Sequence, residues 1–189
     1  KNEPFVITHQ RISTSGFSRE YTQPFKSEEF VLAHNGVMRC FESKKGHSDT
    51  YNFFAKFRKE FSKQKGSREE RVIKAVKKLL DKKNGSYSIV IKDLMDECVY
   101  YFKEDYTNIT AYMNKNYLYL TTKDRNSEFL SLLGEHLREI EIKDYTIYKI
   151  TNKKAINIYE VDKIEQPESY QSSYGGYSSY YLDKSEPLK

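Results

Sequence analysis

Arg11, Thr14, Asn35, Gly36 and Asp49 are the positions in this sequence best suited to holding a small charged molecule, and all fall between His9 and Thr50. In order, that span reads His9-x-Arg11-x-x-Thr14-x-Gly16, Pro24-Phe25, His34-Asn35-Gly36 and Ser48-Asp49-Thr50. A guanidinium presents a planar pair of donors that fits a carboxylate, and a carboxylate such as Asp49 accepts from an ammonium. Arg11 and Asp49 could therefore hold both charged ends of an amino acid, or form an ordinary ion pair with each other. Asn35 and Gly36 offer a side-chain amide and a backbone N–H in succession, a pair able to stabilise one oxyanion during acyl transfer. Asn-Gly is equally a common turn dipeptide. The span lacks an obvious nucleophile. Cys40 with His34 or His47 as base is an arrangement the residue types allow, but a structural thiol is the plainer reading.

The elements that must position these residues follow from periodicity. Phe5-Val6-Ile7 reads as a strand running into the polar loop around His9, Arg11 and Thr14, and Phe17 to Lys26 lacks a regular pattern. Phe30-Val31-Leu32-Ala33 reads as a buried strand that delivers His34-Asn35-Gly36 at its end. Ser48 or Asp49 then caps a helix whose apolar face is Phe53, Phe54, Phe57 and Phe61, placing Asp49 at a favourable helix N-terminus. A second helix spans about Ser67 to Leu80 and is stopped by Asn84-Gly85.

From Ser86 the period changes to that of strands, at 87–91, 98–102, 109–112 and 117–121, with Asn114-Lys115-Asn116 as a tight connection. A helix near Ser127 to Leu137 and strands at 140–142, 145–150 and 155–159 complete the pattern. Two antiparallel sheets with helices on their outer faces accommodate this order better than a parallel sheet, which needs a crossover between most consecutive strands. The fold class expected is α+β.

The length of 189 residues suits one domain, taken as residues 1–161, followed by a tail over 162–189. The tail repeats Tyr among Ser and Gly and reads as flexible or conditionally ordered. With 38% apolar residues, 17 Tyr, 11 Phe and no Trp, the core must lean on aromatic rings. Two cysteines give no disulfide framework and are compatible with a reducing, cytoplasmic compartment, and no apolar run is long enough to span a membrane.

The four linked motifs, in their order, resemble the glutamine-binding half of a class II glutamine amidotransferase domain, a branch of the N-terminal-nucleophile hydrolases. The resemblance extends more weakly through Gly85-Ser86-Tyr87-Ser88 and the Leu118 to Lys123 strand, covering about the first 150 residues. It implies a sandwich of two antiparallel sheets between helical layers. It also implies glutamine as ligand. Arg11 would bind the α-carboxylate, Thr14 would shape that pocket, and Asp49 would bind the α-amino group. Asn35 and the Gly36 N–H would form the oxyanion hole, with His9 and His34 as structural members of the site.

The family's nucleophile is a cysteine at the mature N-terminus that forms a thioester and releases ammonia. Here position 1 is Lys. The expectation is therefore an N-terminally incomplete version of the domain, with its cysteine on a missing fragment or a separate chain and its ammonia acceptor on a synthase elsewhere. The alternative is an inactive homologue that keeps the pocket for binding or assembly.

Other chemistries have less support. His9, His34, His47 and His136 are scattered, so no metal site is expected, and no glycine-rich phosphate loop is present, so no cofactor is expected. Between Lys56 and Lys83 stand twelve Lys or Arg against four Asp or Glu, a local +8 against +5 for the whole chain. Two helices so charged could lie along nucleic-acid phosphates or meet an acidic partner, with tail tyrosines stacking, or they could simply present a solvated face.

Overall fold

The computed structural model describes residues 5–7, 22–41, 47–83, 85–107, 109–121, 131, 136–152 and 155–167. Within them, β1 (Phe25–Lys26), β2 (Phe30–Val37), α1 (Asp49–Lys63), α2 (Arg68–Leu80), β3 (Ser86–Asp93) and β4 (Cys98–Lys103) follow in order. Then come β5 (Thr110–Met113), β6 (Leu118–Thr121), β7 (Arg138–Ile140), β8 (Thr146–Asn152) and β9 (Ile156–Lys163). A six-stranded sheet has the order β1-β2-β3-β4-β8-β9 and a three-stranded sheet the order β6-β5-β7. Every pairing is antiparallel. The α+β architecture of two antiparallel sheets with helices is as the periodicity indicates.

Strand alternation divides the large sheet into two apolar faces. Leu32, Ile89, Ile91, Tyr100 and Phe102 pack with Phe53, Phe57, Phe61, Val72 and Val76 of the helices. Val99, Tyr101, Tyr148 and Ile150 pack on the other side with Leu118 and Leu120 of the small sheet. The order is helices, large sheet, small sheet. Phe53 and Phe57 are fully enclosed, and burying a ring of that size contributes about 1.5–3 kcal/mol. All six β4 residues are buried, as befits a strand covered on both faces.

Local signals account for the helix ends. Ser48 accepts the Tyr51 N–H at 3.2 Å and caps α1. Ser67 and Glu70 form a reciprocal capping box at α2. α2 ends at Leu80, as its apolar spacing indicates, and Lys82 takes a left-handed backbone with φ 57° ahead of Gly85. That end is tied to the far end of the chain. Lys82 N–H donates to Glu165 O, and Glu165 N–H donates to Asp81 Oδ1. β9 thus runs through Lys163, and Ile164 is buried in the main core.

Other expectations are corrected. Phe5–Ile7 takes no regular secondary structure, and its Phe5 ring lies 4.1 Å from Lys92 Nζ. Phe25–Lys26, left without a pattern, is a two-residue strand on β2. The helix expected near Ser127 to Leu137 and the tail beyond residue 167 lie almost wholly outside the described residues. Among the described residues, no helix is long and apolar enough to cross a membrane.

Candidate functional site

The largest difference from expectation is at the site itself. His34-Asn35-Gly36 is not a turn after a strand but continues it. β2 runs to Val37, with His34 opposite Ile89, Asn35 opposite Ser88 and Gly36 opposite Tyr87. A strand holds these residues in fixed register, whereas a turn would leave their direction to loop geometry.

Alternation sends His34 to the helix-facing side, where it is 3% exposed. Its Nε2 lies 3.3 Å from the Ser86 carbonyl, which can only accept, so Nε2 carries the proton in the neutral ring. Its Nδ1 lies 2.9 Å from Thr50 Oγ1. Thr50 Oγ1 also lies 3.3 Å from Asp49 Oδ1, so its single hydroxyl proton is divided between that carboxylate and, along the shorter contact, Nδ1. Gln23 closes the ring: its Oε1 accepts the His34 N–H at 2.6 Å and its Nε2 donates to Thr50 Oγ1 at 3.3 Å. Gln23, His34 and Thr50 are all buried, so their mutual pairing removes most of the cost of enclosing polar groups.

Asp49 sits at the first position of α1. Its Oδ1 accepts the Thr50 N–H at 2.7 Å, and its Oδ2 accepts the Met38 N–H at 2.8 Å. The second bond crosses from helix to strand end. Met38 follows Gly36 by two residues, roughly 7 Å of extended chain. Asn35 and Gly36 are exposed, and Asp49 is half-buried. The Asp49 carboxylate is thus tied to the end of β2 from the helix-facing side, whereas alternation turns the Asn35 side chain to the opposite face.

Gly36 is required there. Its φ is +129°, and a Cβ would stand 2.1 Å from the Ser86 carbonyl oxygen.

Among the expected site residues, His34, Asn35 and Gly36 are consecutive in β2 and Asp49 is tied to the end of that strand through Met38, while His9, Arg11 and Thr14 lie outside the described residues. Gln23 was not foreseen. Its place before Pro24-Phe25 was the available signal, and nothing in residue type points from it to His34, eleven positions away. Thr50 was noted only as part of the helix start.

Of the two thiols, Cys40 is exposed and Cys98 is buried. Burial pushes Cys40 and Cys98 up from the usual thiol range, and Cys98 is enclosed in the main core. A nucleophile needs the opposite shift. Among the described residues, no group of three or more His, Cys, Asp or Glu is arranged to hold a metal ion.

Replacing Thr50 with valine keeps the volume and deletes the hydroxyl that serves His34, Gln23 and Asp49. The expected cost is about 1–3 kcal/mol, read as a shifted urea midpoint, with T50S close to the parent.

No family model and no curated protein sequence matches the chain. Solved structures do. The glutamine phosphoribosylpyrophosphate amidotransferase from B. subtilis, complexed with ADP and GMP, superposes with a TM-score of 0.54 at 15% identity, covering 80% of this chain and 34% of that one. A structure described as the allosteric regulatory enzyme of purine biosynthesis gives 0.52 at 16% identity, covering 75% and 31%. The chain spans about a third of the length of each. At these identities the likeness is one of fold.

Proposed function

We propose, from a fold similar to that of the glutamine phosphoribosylpyrophosphate amidotransferase, that the chain carries the glutamine-binding part of a domain that hydrolyses the glutamine side-chain amide. The observation that carries this reading is the Asp49–Met38 bond. It ties the Asp49 carboxylate, the ammonium acceptor in this reading, to the backbone two residues beyond Gly36.

In this reading Arg11 binds the α-carboxylate beside Thr14, and Asp49 binds the α-ammonium. A cysteine at a mature N-terminus, outside these 189 residues, attacks the side-chain amide carbon. The developing oxyanion is held by the Asn35 amide and the Gly36 N–H. Collapse expels ammonia, which takes a proton carried by the cysteine's own amino group, and water then cleaves the thioester to glutamate. The ammonia passes to an acceptor on another chain or to solvent.

Calorimetric titration of the chain with glutamine tests the binding half of the proposal. D49A is expected to weaken glutamine by tenfold or more, because a charge-assisted bond to the ligand contributes roughly 1.5–3 kcal/mol. N35A is expected to leave that affinity nearly unchanged, yet to slow turnover roughly 10²–10³-fold in protein assembled with the cysteine-bearing segment. Equal glutamine affinity for D49A and the parent would remove Asp49 from the site. Normal turnover by N35A would remove the oxyanion assignment.

A further inference from the structure

Between the C-terminal half of α1 and the start of α2 lies an open groove of about 380 Å3, lined in part by Glu29, Phe30, Arg58, Lys59, Phe61 and Arg71. Its one acidic wall residue is already engaged, since Glu29 Oε2 accepts from Arg68 Nη1 at 2.7 Å. Arg58, Lys59 and Arg71 have no carboxylate within ion-pairing distance among the described residues. Arg71 is the most telling. Its guanidinium stacks 4.0 Å from the Phe61 ring centre and its Nη2 reaches the Phe61 carbonyl at 3.4 Å, while its buried Nε–H has no acceptor. A guanidinium anchored by a ring and left without an anion is a preorganised anion donor.

The charge extends beyond the groove. Lys74 and Lys78 lie one and two turns beyond Arg71 on the same face of α2, both exposed. Glu60, hydrogen-bonded by Lys63 and flanked by Lys78 and Lys59, is held below the usual carboxylate range. Glu70 is taken up by the α2 cap. Other cations here are engaged: Lys77 by Asp162, Arg68 by Asp93 and, just past α2, Lys82 by Glu165, while Lys56 stands 4.9 Å from the Phe41 ring centre.

The kind of anion follows from what else is on this face. Apart from Tyr51 in the first turn of α1, away from the groove, the large apolar side chains that stand exposed, such as Met95, Tyr106 and Tyr117, are on other elements. An interfacial helix would need an apolar face to insert into lipid, and a protein interface would centre on an apolar core. Five unmatched cations spread over two adjacent helices exceed what one bound phosphate requires. We infer that this face of the α1–α2 pair docks the phosphate backbone of a nucleic acid, with Arg58, Lys59, Arg71, Lys74 and Lys78 each set against a phosphate. This is independent of the glutamine reading.

Fluorescence anisotropy with a labelled oligonucleotide, single-stranded and duplex, tests it. Five phosphate contacts predict a log–log salt slope near −4.5 for duplex and −3.5 for single strand, hence roughly 10²–10³-fold weaker duplex binding on going from about 50 to 200 mM salt. The double variants R58A/K59A and K74A/K78A, all at exposed positions, are each expected to flatten the slope by about 2 with an unchanged thermal melt. Absence of binding at low salt, a salt-insensitive affinity, or parental binding by both variants would overturn the inference. Equally tight capture of poly-glutamate would overturn it too, and would assign the face to acidic proteins instead.

Discussion

Replacing Gly36 with alanine is expected to lower the melting temperature by roughly 10 °C, because the added Cβ meets backbone and not a movable side chain. The atom would stand 2.1 Å from the Ser86 oxygen and 2.6 Å from the Ser86 carbonyl carbon. Relief requires prying β2 from β3 at the register Gly36–Tyr87. The φ of +129° adds strain for any residue with a side chain. Overpacking and backbone strain together cost roughly 3–5 kcal/mol, and a domain of this size loses about 2–4 °C per kcal/mol. His34, whose ring meets Thr50 of α1, lies two residues before Gly36 in the same strand, so the damage reaches the candidate site. A G36A protein that melts like the parent would show that β2 does not pair with β3 at this point.

The second large effect concerns Arg68, which ties the start of α2 to the end of β3. Its Nε lies 2.9 and 2.7 Å from the two oxygens of Asp93, a residue with no exposed surface, and its Nη1 lies 2.7 Å from Glu29. The Met95 and Asp96 N–H groups complete the shell around Asp93 Oδ1. Truncating Arg68 would leave a carboxylate enclosed with two turn amides and no cation. The expected loss is about 3–5 kcal/mol, measured by urea denaturation of R68A. The same truncation in a D93N background is expected to cost much less, since no buried charge is then orphaned. Equal losses in both backgrounds would mean that Arg68 acts only by packing against Phe30 and Phe61, whose ring centres lie 4.9 and 5.1 Å from its guanidinium carbon.

Much of the architecture was legible because its signals are local. The spacing of Phe53, Phe57 and Phe61 and the Ser48 and Ser67 caps mark the two helices within a few residues of their ends. The change to alternation at Ser86 marks the sheet. What misled was also local. Asn35-Gly36 carries the preference of a turn, but that preference was overridden by pairing along β3, a partner more than fifty residues away. Gly36 is needed not to reverse the chain but to let the Ser86 carbonyl approach. The Gln23–His34–Thr50 ring was illegible for a similar reason. Its members come from the loop before β1, from β2 and from α1, and no short-range pattern joins them. Asp49 was recognised by type and helix position, while its bond to Met38 could be seen only once helix and strand were set side by side.

The rims of the large sheet decide whether it stops at six strands. At one rim β1 offers only two residues, too short a template for a foreign strand to read. At the other, β9 is eight residues long, but its pairing shifts register at Ile147/Tyr148, and it presents Glu160, Asp162 and Lys163. Lys143 and Lys77 already hold Glu160 and Asp162 through side-chain ion pairs. A second molecule adding a strand there would have to match a broken register and displace those pairs. Irregularity and charge at this border thus work against the addition of a strand from another molecule.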